Sequence, residues 1–329
     1  MLSIEITREC PLRCPGCYAY GDGHLGEGGP NLRTVSDYRG EELVRRILSL
    51  VDEHAPLQVS LVGGEPLMRH RELSQLLPQL SARGIYTLVV TSGVIPIPRE
   101  WMSIEKLTIA VSVDGNPEDH DVRRSPATYD RILRNIEGLR VNIHWTVVRK
   151  NLETAGYMDR YLDFWNARPE VDRIWVSVYT PQNGEESAER LTPQNRLALA
   201  EYFNANQGRY PKLTMHKGLM DAFLRPPASP SECLFAKLSL NYTADLRSRV
   251  EPCVFGGAPS CAECGCSMSM GMHWLGELKV GGGLHARHLI KSSLGIGRAV
   301  NRLTRKQVSE RWSELQPDSG SHELVQIER

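Results

Sequence analysis

Hydrophobic residues in the first half of the chain follow two alternating patterns, short β-branched runs and amphipathic stretches with helical spacing. The short runs are rich in Val, Ile and Leu, as strands covered on both faces are; they are 3–6, 58–62, 85–91, 106–113, 141–148 and 173–178. The stretches between them that predict helices are 38–51 with Ser36 as N-cap, 72–82 and 129–139. Six strand–helix repeats indicate an α/β fold with a parallel sheet and right-handed crossovers.

The second half of the chain loses this alternation. A helical pattern over 193–207 precedes the breaker-rich segment Arg225-Pro226-Pro227-Ala228-Ser229-Pro230, which predicts a domain boundary. The resulting division is a barrel-forming domain at 1–225, a cysteine-rich domain at 226–275, a basic amphipathic segment at 276–310 and a flexible tail at 311–329.

Charge and composition exclude several classes of protein. The 39 basic and 39 acidic residues cancel, so no overall field favours a nucleic-acid partner. No apolar run approaches the roughly 18 residues that span a bilayer. The first residues also lack the pattern of a signal peptide. We therefore expect a cytoplasmic location, where cysteines serve metal binding or catalysis more often than disulfides.

The eight cysteines are concentrated at two places, three at the start of the chain and five within 233–266. The first three are Cys10, Cys14 and Cys17, at CxxxCxxC spacing directly after the first predicted strand. Three thiolates without a fourth partner suit a [4Fe–4S] cluster that keeps one iron open for a chelating ligand. The alternative is a structural metal knuckle, or simply reduced buried thiols.

The segment Gly63-Gly64-Glu65-Pro66 follows the second predicted strand, and together with the cysteine spacing it resembles the radical S-adenosylmethionine (SAM) superfamily. The resemblance implies an open partial (β/α)6 TIM-like barrel. It further implies reductive cleavage of SAM on the first [4Fe–4S] cluster to a 5′-deoxyadenosyl radical, which abstracts hydrogen from an unactivated carbon. A flavodoxin-type or ferredoxin-type partner would supply the electron.

The same resemblance assigns the SAM contacts. Gly63, Gly64, Glu65 and Pro66 would bind the amino group, and Ser92 at the end of the third strand would contact the ribose. The run from Ser112 to Arg124 is similar to a maturase signature, in which Ser112 and one of Arg123 and Arg124 would face the carboxylate; Asp114 of the same run would be a further cofactor-binding residue. Family members carry an aromatic residue where this chain has Gly16, so the Gly16 backbone and the ring of Tyr18 would contact adenine.

A glycine-rich stretch follows at 21–29, and it lacks the Gly-Lys-Ser/Thr ending of a phosphate-binding loop. We expect it to form a mobile loop at the mouth of the barrel.

The second cysteine group resembles the Twitch domain, the shortened form of the SPASM domain, which holds one auxiliary [4Fe–4S] cluster. The resemblance makes Cys233, Cys253, Cys261 and Cys264 its ligands. Cys266 would then be a spare thiol, either a hydrogen donor to a product radical or an alternative ligand. The same cysteines could form a structural zinc site, and a non-catalytic zinc-knuckle binding protein is the alternative of another class.

The substrate is less well defined by the sequence. No leader-binding domain precedes the first strand, which favours a small-molecule, sugar or lipid substrate over a peptide in a maturase. The acid-free segment 278–309 indicates peripheral contact with an anionic membrane or a helix pair docked on the barrel; its cations are Lys279, Arg287, Lys291, Arg298, Arg302, Arg305 and Lys306.

Overall fold

A seven-stranded parallel sheet forms the centre of the computed structural model, which describes residues 1–26, 29–126, 128–281 and 284–290. The strand order is β6-β5-β4-β3-β2-β1-β7. The strands are β1 (Leu2–Glu5), β2 (Gln58–Val62), β3 (Tyr86–Thr91), β4 (Leu107–Ser112), β5 (Val141–Val147), β6 (Val171–Val178) and β7 (Leu240–Tyr242). This is the predicted α/β architecture, and the six predicted strands lie within two residues of the observed ones.

Strand β7 was not predicted. It pairs in parallel with β1, so that Leu2 lies opposite Leu240 and Ile4 opposite Tyr242. The strand has three residues, Leu-Asn-Tyr, with no β-branched member. The segment that follows the predicted domain boundary therefore contributes a strand to the sheet of the barrel. The division of the chain at residue 225 stays a prediction.

Helices connect the strands of the sheet. They are α1 (Gly40–His54), α2 (His70–Ala82), α3 (Pro117–Arg123), α4 (Tyr129–Ile136), α5 (Arg149–Glu153), α6 (Tyr157–Ala167), α7 (Pro193–Asn206), α8 (Lys217–Leu224), α9 (Leu234–Leu238) and α10 (Ser267–Glu277). The prediction that Ser36 caps α1 is wrong, because the N-cap is Arg39 and makes no side-chain cap bond. The adjacent Asp37 binds the end of β1 instead, where the Thr7 hydroxyl donates to its carboxylate at 2.8 Å.

The core lies between the sheet and these helices. Leu2 and Ile4 of β1 are buried in it, so alternation turns Ser3 and Glu5 to the opposite face, the interior of the partial barrel. Helix α10 packs against α8, α9 and β6, which brings the second cysteine group to the carboxyl end of the sheet. Loops at this end of parallel barrels carry the chemistry.

The basic segment is described only at its start, where β8 (Lys279–Gly281) and β9 (Leu284–His285) pair antiparallel. Its cations from Lys291 onward and the predicted tail at 311–329 lie outside the described residues. Within the described ranges, no helix combines the length and the apolar character needed to cross a bilayer.

Candidate active site between two cysteine groups

The first cysteine loop, residues 10–17, leaves the carboxyl end of β1 and folds over the open end of the barrel. The Cys17 amide donates to the Cys14 carbonyl oxygen at 3.3 Å. The Leu12 amide donates to the Cys10 sulfur at 3.4 Å. All three cysteines are partly buried free thiols, and burial raises the pKa of Cys10 to about 11. The three predicted ligands thus lie on one short loop.

Gly63 and Gly64 let the segment that leads into this loop, residues 5–9, pack directly on the end of β2. A Cβ at Gly63 would lie 2.9 Å from the Thr7 carbonyl oxygen, and Gly63 has a φ of +109° that side chains rarely adopt. A Cβ at Gly64 would overlap the carbonyl oxygen of Glu9. The glycines therefore allow the close approach of protein backbone, and their predicted contact with the amino group of SAM stays a prediction.

The Glu65 carboxylate is buried and occupied by protein donors. Its Oε1 accepts from the Thr91 hydroxyl at 2.6 Å and from the Leu67 amide at 3.0 Å. Its Oε2 accepts from the Ser92 amide at 2.8 Å and from the Ser92 hydroxyl. Glu65 and Ser92 thus fix the ends of β2 and β3 to each other. That Glu65 and Ser92 contact SAM stays a prediction. Because their side chains are hydrogen-bonded to each other, backbone groups at these positions are the more accessible donors and acceptors for SAM.

Asp114 follows β4 and is the buried anchor of the arginine pair. Its Oδ2 accepts from Nε and Nη2 of Arg124, both at 2.8 Å, and its Oδ1 accepts from the Thr146 amide at 2.9 Å. The Asp114 amide donates to His120 Nδ1 at 3.1 Å, so the Nε2 of His120 carries the proton and faces the Thr128 hydroxyl at 2.8 Å. Burial lowers the pKa of His120 to about 4, which keeps the ring neutral.

The two arginines differ in how strongly they act on the first cysteine loop. Burial raises the pKa of Cys14, and Arg124 opposes this rise more strongly than Arg123 does. Arg124 in turn is stabilised by Asp114, Cys14 and Cys17. Arg123 lies 3.4 Å from Asp114, pairs also with Glu189 and lies over the ring of Tyr179, 5.9 Å from its centroid. The structure thereby separates two residues that the sequence left equivalent.

The second cysteine group consists of Cys233, Cys253, Cys261, Cys264 and Cys266, and all five line a single apolar cavity. Burial raises the pKa of Cys253 to about 12 and that of Cys261 to about 11. The Gly265 carbonyl accepts from the Val178 amide at 2.9 Å, which attaches the cysteine turn to the end of β6. Because Cys266 lines the same cavity, its role as the spare thiol stays a prediction.

The two cysteine groups are joined by aromatic and histidine contacts that the sequence did not predict. The ring of Tyr18 meets that of Phe255 edge-on, with centroids 5.4 Å apart. His24 is buried between them and the sheet. Its Nδ1 donates to the Phe255 carbonyl oxygen at 3.1 Å, and the Gly257 amide donates to the His24 carbonyl oxygen at 3.1 Å. His24 thus holds the described residues 21–26 against the second cysteine group, and the mobility of the stretch stays a prediction.

His24 also forms a buried pair with Glu5 inside the barrel. Its Nε2 lies 2.8 Å from Glu5 Oε1. Since a carbonyl can only accept, Nδ1 is the donor to Phe255, and Nε2 faces the carboxylate. Glu5 Oε2 is buried and accepts no hydrogen bond from any described residue. It is an acceptor facing the barrel interior that suits a ligand with an N–H or O–H group.

The remaining predicted contacts surround the same end of the sheet. Ser112 is buried at the end of β4. Gly16 is exposed and has a φ of +67°, so a side chain there would be strained, and a Cβ would have no atom within 4 Å. Tyr18 is 43% exposed beside it, consistent with a ring that has room for a ligand. Pro66 is buried as the first residue of the short helix Pro66–Arg69.

Among the residues that the structure describes, no three His, Cys, Asp or Glu side chains converge closely enough to hold one metal ion. The sulfur donors of the second group are those of a structural zinc site as well as of a cluster. The choice between an auxiliary cluster and the zinc alternative therefore stays a prediction.

Residues 4–149 match the family model of the radical SAM superfamily. Among curated proteins, the chain is similar to PqqA peptide cyclase of Bradyrhizobium diazoefficiens, with 36% identity over 100 residues that cover 30% of this chain and 23% of that protein. It is also similar to the AdoMet-dependent heme synthase of Oleidesulfovibrio alaskensis, with 26% identity over 62% of this chain and 52% of that protein. These matches thus cover about a quarter and about half of the relatives' lengths.

Solved structures share the fold at low sequence identity. The structure of anSMEcpe with bound AdoMet has a TM-score of 0.54 and 18% identity, covering 78% of this chain and 75% of that one. Streptococcus suis SuiB bound to its precursor peptide SuiA has a TM-score of 0.55 and 15% identity, covering 74% and 57%.

Proposed function

This chain belongs to the radical SAM superfamily, and from that premise we propose that it modifies a peptide, using one cluster to cleave SAM and a second, auxiliary cluster beside the barrel. It is an enzyme whose cofactors include SAM and a [4Fe–4S] cluster. The observation that carries the proposal is the contact between Tyr18 and Phe255, because it places the two cysteine groups on either side of one barrel end.

The first cysteine loop fits the SAM-binding cluster. When bound, the cluster and SAM supply the hydrogen-abstracting radical of this superfamily. We propose that Cys10, Cys14 and Cys17 hold the cluster and that Arg124 binds the carboxylate of SAM. Asp114 occupies Nε and Nη2 of Arg124, which leaves Nη1 for that carboxylate. Asp114 thus acts through Arg124, because its hydrogen bonds fix the orientation of the guanidinium.

The interior of the barrel fits a ligand with hydrogen-bond donors. Glu5 Oε2 is a buried acceptor without a donor among the described residues, and such an atom destabilises a protein unless a ligand or water satisfies it. His144 and Ser177, 2.9 Å apart, extend this polar lining across β5 and β6. We propose that amide or hydroxyl groups of the substrate are bound here, between the two cysteine groups.

The second cysteine group fits an auxiliary [4Fe–4S] cluster. Five thiols around one apolar cavity provide the sulfur donors that such clusters use, and an apolar surround limits the access of water. The chain's own contribution is to hold the CxxC turn, since the Gly265 amide donates to the Thr180 hydroxyl at 2.8 Å. The cluster would exchange one electron with the substrate or with the external electron donor.

A peptide substrate is favoured by the relatives, in contrast to the order expected from the sequence. PqqA peptide cyclase is 36% identical over the matched stretch, above the 26% of the heme synthase. A second candidate is a small molecule such as a tetrapyrrole, because the heme synthase match covers 62% of this chain. The two candidates differ in whether the substrate is destroyed by a protease.

An extract of the source organism, grown in deuterated water, tests the substrate class while the substrate itself is still unidentified. The reconstituted enzyme, SAM and dithionite are incubated with the extract, and deuterium in released 5′-deoxyadenosine is measured by mass spectrometry. We expect deuterium transfer that disappears when the extract is first digested with broad-specificity proteases. Cys14→Ala is the control, because it lacks the first cluster.

Protease-resistant deuterium transfer would contradict the peptide proposal and favour the small-molecule candidate. If the wild-type enzyme releases no 5′-deoxyadenosine under any reductant, although it holds the first cluster, the proposal that it generates a radical from SAM is wrong.

A further inference from the structure

Arg196 of α7 lies beneath the turn that carries Cys261 and Cys264. Arg196 is only 9% exposed. Nη1 donates to the carbonyl oxygens of Phe223 at 3.0 Å and Cys264 at 3.2 Å, and Nη2 donates to the carbonyl oxygen of Glu263. One guanidinium therefore donates to three backbone carbonyls, and two of them, those of Glu263 and Cys264, belong to the turn that carries the cysteines.

No carboxylate among the described residues forms an ion pair with this guanidinium. The nearby Glu263 side chain turns outward to Arg190, with both nitrogen–oxygen distances at 2.7 Å. A guanidinium remains charged under all ordinary conditions, and burying a cation without a counter-anion is strongly unfavourable. Backbone carbonyls compensate only in part, since they carry partial charges.

Two negative groups act on this guanidinium. Cys264 is the stronger, and the Glu263 carboxylate, already paired with Arg190, is the weaker. Cysteine sulfurs that bind a cluster are thiolates, and a [4Fe–4S] cluster with four thiolates has a net negative charge. A fixed cation in surroundings of low dielectric stabilises the more negative, reduced form of such a cluster.

We propose that Arg196 is the counter-charge of the auxiliary cluster, a positioning residue that both holds the Cys261–Cys264 turn and raises the cluster's reduction potential. The inference rests on the auxiliary cluster of the proposed function. The couple concerned exchanges one electron, with dithionite as the reductant in the titration. Arg196 itself neither binds iron nor contacts the substrate.

The test is a redox titration of the second cluster, followed by electron paramagnetic resonance, on the full-length reconstituted chain. A Cys14→Ala background removes the first cluster, so that one signal remains. Arg196→Gln removes the charge, and Arg196→Lys keeps it while losing the planar fork. The matched control is Arg190→Gln, which removes an arginine that pairs with Glu263 of the same turn and whose side chain is 46% exposed.

We expect Arg196→Gln to lower the midpoint potential so that the ratio of reduced to oxidised cluster falls at least tenfold at a fixed potential, about 59 mV for one electron. Arg190→Gln should leave the midpoint nearly unchanged, because solvent screens its charge. Arg196→Lys should keep a midpoint near that of the parent. Loss of the second cluster from Arg196→Gln alone, with Arg196→Lys retaining it, would equally support the counter-charge.

Equal midpoints for Arg196→Gln and Arg190→Gln would overturn the inference and leave the auxiliary cluster in place. Loss of the cluster from both Arg196 variants, with the fold intact by circular dichroism, would also overturn the charge role. A wild-type chain that holds a single cluster by iron and sulfide analysis would instead refute the auxiliary cluster of the proposed function.

Discussion

The two cysteine groups differ in how the chain supports them. The first lies on one short loop, with partly exposed thiols and a charged arginine, Arg124, directed towards it. The second is assembled from several segments around an enclosed apolar cavity. Metal sites that keep a position open for a ligand differ from closed sites in the same way. Under the proposed function, the first group exchanges ligands and the second transfers electrons.

Removal of one cysteine from each group gives the largest contrast. Cys14→Ala should abolish 5′-deoxyadenosine formation, because the first cluster is lost. Cys253→Ala should lose the second cluster and keep slow SAM cleavage in the absence of substrate, since the first loop is intact. Chromatographic assay of 5′-deoxyadenosine with dithionite measures both. Loss of SAM cleavage from both variants would show that the two groups do not have separate tasks.

Packing of the two groups on the sheet can be tested at their glycines. A Cβ at Gly64 would overlap the Glu9 carbonyl oxygen, and one at Gly265 would overlap that of Val178. Gly64→Ala and Gly265→Ala should each destabilise the protein by about 3 kcal/mol. Gly16→Ala is the control, with a strained φ of +67° and no atom within 4 Å, and should cost about 1 kcal/mol.

Chemical denaturation of the three glycine variants measures these differences, and iron content shows which cluster is affected. If Gly64→Ala unfolds at the same denaturant concentration as Gly16→Ala, the loop is not packed on β2 as described.

The stability of the segment around Asp114, which lies beside the first cysteine group, should depend on pH through His120. Its pKa of about 4 in the folded state lies below the ordinary value of 6.5. The contribution of His120 to the free energy of unfolding is therefore fully present above about pH 6.5 and is lost as the pH falls towards 4. The loss amounts to about 3 kcal/mol, at about 1.4 kcal/mol for each unit of pKa shift. His120→Gln keeps an acceptor for the Asp114 amide and a donor to Thr128, and should flatten this dependence. Denaturation curves between pH 7 and pH 4.5 that have equal slopes for both proteins would contradict this role.

Loss of the Tyr18–Phe255 contact, which joins the two cysteine groups, should have the smallest effect on stability. Edge-to-face aromatic pairs contribute about 1 kcal/mol beyond their buried area. A double-mutant cycle of Tyr18→Leu and Phe255→Leu should return a coupling of that size in unfolding free energy. Additive effects of the two substitutions would mean that the rings do not hold the groups together.

The sequence predicted the sheet and the position of the first group well, because both depend on local patterns. β-branched runs marked six strands, and the spacing of Cys10, Cys14 and Cys17 is visible within eight residues. Strand β7 is only three residues long and has no such pattern, so it depends on pairing with β1. The start of α1 was misplaced because Asp37, near the expected cap, is used by Thr7.

The residues that organise the site were harder to predict, because their partners are distant in sequence. His24 binds oxygens 19 and 231 residues away. Arg196 binds carbonyls 27, 67 and 68 residues away. The choice between Arg123 and Arg124 depends on which one acts more strongly on Cys14, and adjacent residues in a sequence give no information about that. In the stretch 21–26, the histidine among glycines was the one local sign that this stretch makes buried contacts.

The central claim, that the chain holds two clusters with separate tasks, is tested most directly by iron and acid-labile sulfide analysis with Mössbauer spectroscopy on anaerobically reconstituted protein. The account predicts about eight irons in the wild-type chain, from two [4Fe–4S] clusters, and about four in Cys14→Ala and in Cys253→Ala. About four irons in the wild-type chain, all lost in Cys14→Ala and all kept in Cys253→Ala, would contradict it.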